Sequence, residues 1–139
     1  MSSVFTKIIN GSLPGHFLWR DNTCVSFLSI NPISQGHALI VPEMEIDHWL
    51  DLPPEVNKHL IEIGQIIGQA QMDVYKPLRI GMVIAGLEVP HTHLHIIPID
   101  GMQDLDFSNA SMSADNNELS DNATQLKNAI KSRGHGCGV

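Results

Sequence analysis

One mixed domain of strands and helices is what the sequence predicts, on three observations. Five short runs rich in β-branched and aromatic residues are bounded by Gly, Pro or Asn. Two stretches repeat apolar side chains every three or four residues. The chain has 139 residues, which suits one domain of roughly 100 to 200. In chain order, residues 4–10 read as a short amphipathic helix with Phe5, Ile8 and Ile9 on its apolar side, stopped by Gly11 and Pro14. Residues 16–20 and 24–30 read as two strands joined at the turn-prone Asp21 and Asn22, hence a hairpin. A third strand at 37–41 is closed by Pro42. After Pro53 and Pro54, whose missing N–H groups suit a first helical turn, Val56, Leu60, Ile63, Ile67, Ala70 and Val74 form a helical stripe ending before Pro77. Two more strands are expected at 78–85 and 91–99, with 86–90 as the turn between them. Residues 100–121 carry six acidic side chains and no Lys or Arg, the composition of a loop. A last helix is expected from about Asn117, with Leu119, Ala123, Leu126 and Ile130 in line and Gly134 as its stop. The domain thus divides into a core of about 4–99, an acidic loop and helix at 100–133, and a tail at 134–139 that is expected to fray.

Composition excludes several functions. Eight Lys and Arg against fifteen Asp and Glu give a net charge of −7, the wrong sign for binding a phosphate backbone. Cys24 and Cys137 form no metal-type or redox-type pair, no apolar run approaches the roughly 20 residues of a membrane span, and the first residues lack the pattern of a signal peptide. A cytoplasmic protein that binds neither membrane nor nucleic acid is the expectation. One count stands out: the eight histidines equal Lys and Arg combined.

The chemistry is concentrated in His91-Thr92-His93-Leu94-His95-Ile96-Ile97-Pro98. If this is a strand, alternate side chains face one way, and the three imidazoles line up over roughly 13 Å. They cannot all be protonated without mutual repulsion, so their titration is coupled and at least one is neutral near pH 7. A neutral, oriented imidazole can be a nucleophile, a general base or a metal ligand. Half-buried structural histidines and a metal site completed by Glu88 are the competing readings.

The motif, with segments 5–14, 27–32 and 36–42 (FTKIINGSLP, FLSINP, GHALIVP), resembles the histidine triad (HIT) family, Hint-like branch, in a variant of actinobacterial type without zinc cysteines. The resemblance spans about 4–98. It implies an α+β fold, a five-stranded antiparallel sheet with one long helix and a C-terminal helix, paired into a homodimer. It also implies a metal-independent nucleotide hydrolase or transferase without a cofactor, acting on a purine nucleotide of AMP type. His93 would attack the α-phosphorus and carry the nucleotidyl group. His95 would position it, His91 would contact phosphate or leaving group, and His37 would hydrogen-bond within the triad. Val4, Phe5, Ile8, Phe27, Leu28, Ile30 and Leu39 fall where the family lines its base slot. Gly86 falls in the loop preceding the triad, also on the nucleotide-binding side.

Three departures qualify the resemblance. Ser29 replaces the usual ribose-binding Asp or Asn and can make one such contact but not two. The loop before the triad is short, and Glu88 stands where a small hydroxyl residue is usual. Its carboxylate would repel phosphate but attract an amine leaving group. Where some bacterial members bind structural zinc through two cysteines and two histidines, this chain has Ser3, Thr6, Glu45 and His91, so no metal is expected. His16, His59 and His135 read as surface residues. Cleavage of a nucleoside 5′-phosphoramidate or related ester is the leading function. Dinucleoside polyphosphate hydrolysis and a nucleotide-binding or partner-binding module without turnover are the alternatives.

Overall fold

Alternate side chains on β2 (Cys24–Leu28) and β3 (Ala38–Pro42) face opposite sides of one sheet, and each side collects its own apolar layer. Val25, Phe27, Leu39 and Val41 join Phe5 on one side. Cys24, Leu28, Ala38 and Ile40 join the larger core on the other. The computed structural model describes residues 2–112 and 114–139; Met1 and Ser113, the latter in the acidic segment, lie outside them. β1 (Phe17–Arg20) pairs with β2, β2 with β3, β3 with β5 (Leu94–Ile99), and β5 with β4 (Arg79–Val83), all antiparallel. The short helix α1 (Val4–Ile9) lies on the smaller side, capped by the Ser3 hydroxyl, which accepts from the Thr6 N–H.

The larger side is covered by α2 (Pro54–Tyr75) and α3 (Asn116–Ser132). The stripe behaves as its spacing predicts: Leu60, Ile63, Ile67 and Ala70 are buried, while Val56 and Val74 at its ends are partly buried. Removing such a side chain, as in Ile67→Ala, costs about 2 to 5 kcal/mol. α2 ends where Lys76 turns to φ 52°, one residue before Pro77. Arg133, past the end of α3, donates to both carboxylate oxygens of Asp73 on α2 at 2.6 and 2.9 Å. No helix among the described residues is long and apolar enough to cross a membrane.

Two expectations need correction. The last strand begins at Leu94 and not at His91, because the Thr92 N–H and hydroxyl both go to the Ile46 carbonyl in a loop, not to a neighbouring strand. The tail at 134–139 does not fray. Cys137 is buried in the main core, and its carbonyl accepts the N–H of Arg20 on the edge strand β1, which satisfies a donor that sheet pairing leaves open.

Candidate active site

The four histidines singled out by sequence are brought together, but by two different kinds of attachment. His91 and His93 sit in the segment just before β5. His91 is fully buried, its Nε2 lies 2.8 Å from the Pro42 carbonyl, and its Nδ1 lies 2.7 Å from the Ser3 hydroxyl. A carbonyl only accepts, so a neutral His91 carries its proton on Nε2 and accepts on Nδ1 from Ser3. Both ring nitrogens are therefore engaged within the protein. What His91 offers its neighbour is its backbone oxygen, which lies 2.7 Å from His93 Nδ1. His93 consequently holds its proton on Nδ1 and keeps the Nε2 lone pair free.

His95 lies in β5 opposite Leu39 of β3, and His37 immediately precedes that strand. The Ile33 N–H donates to His37 Nδ1 at 3.1 Å, so the proton of neutral His37 is on Nε2. That N–H points at His95 Nδ1, 2.9 Å away, and fixes the His95 proton on Nε2. The rings of His93 and His95 stand 5.0 Å apart, one presenting a lone pair and the other an N–H. Burial holds His37 down to about 4, and burial together with the nearby His37 and His93 rings holds His95 down to about 3. Burial also lowers His93, against the opposing pull of the His91 carbonyl and of the Glu88 carboxylate. At neutral pH His37, His93 and His95 are therefore uncharged, which suits a nucleophile better than a charged imidazolium.

Phe5 meets His93 edge-on at 4.8 Å and Phe27 at 5.7 Å, and Ile8 and Leu39 complete this apolar patch. Phe5, Ile8, Phe27 and Leu39 share one apolar layer, which Phe5 brings against His93. Leu28 points into the opposite core because it follows Phe27 on a strand, and Val4 and Ile30 are largely exposed. Ser29 and His37 border a cleft of about 370 Å³ between the 29–37 loop and the start of α3, which none of Phe5, Phe27, His93 or His95 lines. Gly86 takes the left-handed conformation at φ 74°, and Glu88 is exposed. Phe107, from a short 3₁₀ turn (Phe107–Asn109) in the acidic segment, packs edge-on against His95 at 4.7 Å and His37 at 6.2 Å. A lone aromatic in an acidic stretch is the only signal the sequence carried for it.

Ser3, Thr6, Glu45 and His91 do converge, though as a hydrogen-bonded clasp. Glu45 Oε1 accepts from the Ser3 N–H at 2.6 Å and from the Thr6 hydroxyl at 2.7 Å, and Ser3 reaches His91. Two hydroxyls are poor partners for zinc, which takes thiolate, imidazole or carboxylate ligands, so this donor set does not fit the metal. His59, expected as a surface residue, is partly buried, and its Nε2 lies 2.7 Å from Asp21 Oδ2. Burial alone would raise Asp21, yet hydrogen bonds from Trp19, Cys24, His59 and Thr23 bring it down to about 2. This knot joins the β1–β2 turn to α2, and Cys24 Sγ borders it.

Comparison with known proteins places this geometry. A model of the HIT domain matches residues 10–102. The adenylylsulfatase HINT3 of Arabidopsis thaliana is 31% identical over 133 residues, covering 92% of this chain and 67% of the relative. The adenosine 5′-monophosphoramidase HNT1 of Saccharomyces cerevisiae is 34% identical over 96 residues, covering 68% of this chain and 61% of the relative. Among solved structures, a zinc-bound histidine triad family protein from Mycobacterium smegmatis superposes with a TM-score of 0.80 at 25% identity, covering 96% of both chains.

Proposed function

The chain belongs to the histidine triad family, and from that premise we propose that it cleaves a nucleoside 5′-phosphoramidate, or a related purine nucleotide ester, at the α-phosphorus through a nucleotidyl-histidine. The observation that carries this reading is the 2.7 Å bond from His93 Nδ1 to the His91 carbonyl, which leaves Nε2 as a free, neutral nucleophile. In the first step Nε2 forms a bond to phosphorus and the bond from phosphorus to the leaving nitrogen breaks, the nitrogen departing as a neutral amine with a proton taken from solvent. In the second, water attacks phosphorus and gives a proton back to solvent, and His93 leaves as a neutral imidazole with AMP released. The His95 Nε2–H donates to a phosphoryl oxygen as charge builds there.

Phe5, Ile8, Phe27 and Leu39 take the base, as a flat apolar patch beside the nucleophile suits. An adenylylsulfatase and an adenosine 5′-monophosphoramidase among the relatives support an adenylyl substrate. The exposed carboxylate of Glu88, whose charge favours the protonated form of His93, favours a leaving group that becomes a cation over one that leaves as an anion. The deciding experiment mixes purified protein with adenosine 5′-phosphoramidate. AMP release that survives chelation and vanishes in His93→Ala is the expected result. AMP binding by calorimetry with no turnover of any adenylyl substrate overturns the reading in favour of a binding module.

A further inference from the structure

Gln71 is fully buried on the sheet-facing side of α2, among apolar neighbours, where an amide is costly unless it is bonded. Its Nε2 donates two hydrogen bonds, to the Gly36 carbonyl at 2.8 Å and to the Ile96 carbonyl at 2.9 Å. Both partners are acceptors only, so the amide has one possible orientation. The identity of the two carbonyls is what matters: Gly36 immediately precedes His37, and Ile96 immediately follows His95. One side chain from the helical layer thus grips the backbone on both sides of the paired imidazoles.

The grip is reinforced one helical turn further on. The Tyr75 ring lies against Gly36 so closely that a Cβ at that position would overlap it, and Gly36 holds φ 81°, a conformation that favours glycine. The Tyr75 hydroxyl donates to Asn122 Oδ1 on α3 at 2.8 Å. α3 lies wholly beyond residue 102, where the family match ends. We infer that Gln71, backed by Tyr75 and Asn122, is the positioning residue that sets the His37–His95 hydrogen bond and with it the Nε2–H that His95 presents to substrate. A ring-to-ring bond of 2.9 Å depends on where the two Cα atoms stand, and here both strands are held from one point. The relevance to turnover rests on the proposed function; the control of the imidazole pair does not.

The test replaces Gln71 by Met, which keeps bulk and removes both donors. Gln71→Asn serves as a milder variant that keeps the amide but falls one methylene short. Imidazole nitrogen NMR on the full chain reads the tautomers of His37 and His95. Wild type should show both rings protonated on Nε2, and each folded variant should show His95 as a mixture, with the larger change in Met. With adenosine 5′-phosphoramidate, kcat should fall by about 10- to 100-fold while KM changes less than about 2-fold, since the base patch lies on the other side of the sheet. A merely structural glutamine would lower Tm and leave tautomers and kcat alone. Unchanged His37 and His95 signals in a folded Gln71 variant would overturn the inference. Absence of turnover in wild type would instead remove the proposed function, while the tautomer spectra would still decide the role of Gln71.

Discussion

His91 and His95 stand four residues apart in one motif, yet they are held by different means. His91, which precedes β5, is fastened by the Ser3 hydroxyl at the cap of α1 and by the Pro42 carbonyl at the end of β3, and spends both ring nitrogens on that task. His95 is fastened inside the sheet by another histidine, and its second nitrogen remains available. His93 lies between them and makes its hydrogen bond to the His91 backbone. The contrast separates the motif into an anchor at one end and chemistry at the other, with the nucleophile at the junction.

The sharpest way to break that division is to remove each ring in turn. His93→Ala should lower kcat by at least about 10³-fold while leaving the thermal midpoint close to wild type, as expected when a nucleophile is lost from a preformed site. His91→Ala should show the reverse balance, with the greater change in the melting curve. Equal loss of turnover in both, with equal stability, would erase the distinction. The anchor itself is tested by Ser3→Ala, which removes the helix cap and leaves His91 Nδ1 without its donor. About 2 kcal/mol of stability should be lost, read from denaturant unfolding, with kcat changed by less than about 3-fold. A large loss of rate at unchanged stability would mean that the clasp serves chemistry directly.

Acid provides the third test, through the paired imidazoles of His37 and His95. His37 and His95 are held neutral in the fold at about 4 and about 3, whereas in the unfolded chain they bind protons below the usual 6.5. The unfolded state therefore takes up more protons as pH falls from 6.5 towards 4, and stability falls over that window by up to about 1.4 kcal/mol per pH unit for each histidine. Denaturant midpoints measured across this range should flatten in a His37→Asn, His95→Asn double variant. A wild-type slope that survives in that variant assigns the acid sensitivity elsewhere.

The same division explains what the sequence could and could not reveal. Periodicity located every strand and both longer helices to within a few residues, because alternating and helical spacings are local properties of the chain. It misplaced the start of β5, since an alternating pattern does not say where pairing stops; that depends on Ile46, distant in sequence, accepting the Thr92 N–H. The tail misled through its glycines, while its docking depends on an unpaired donor of β1. Ser3, Thr6 and Glu45 were legible as a group through the family resemblance, although not as a clasp. His59 and Gln71 carried no local signal, because each acts through a partner more than thirty residues away.

Glu88 gives the smallest and most discriminating prediction, since it belongs to neither end. It is exposed, so solvent screens its carboxylate, and its effect on a leaving group is worth only a fraction of what a buried charge would supply. Glu88→Ser should therefore shift the ratio of kcat/KM for an amine leaving group over a sulfate leaving group by about 2- to 5-fold towards sulfate, with little change in nucleotide binding. The direction follows from charge: an amine must be protonated on nitrogen before it departs, a positive charge the carboxylate attracts, whereas sulfate leaves as an anion, which it repels. His93 should titrate slightly lower in the same variant, because one of the groups that favours its protonated form is gone. An unchanged ratio together with a lowered His93 pKa would show that the carboxylate reaches the nucleophile but not the leaving group. The substrate preference would then be set by the chemistry of the anchored motif alone.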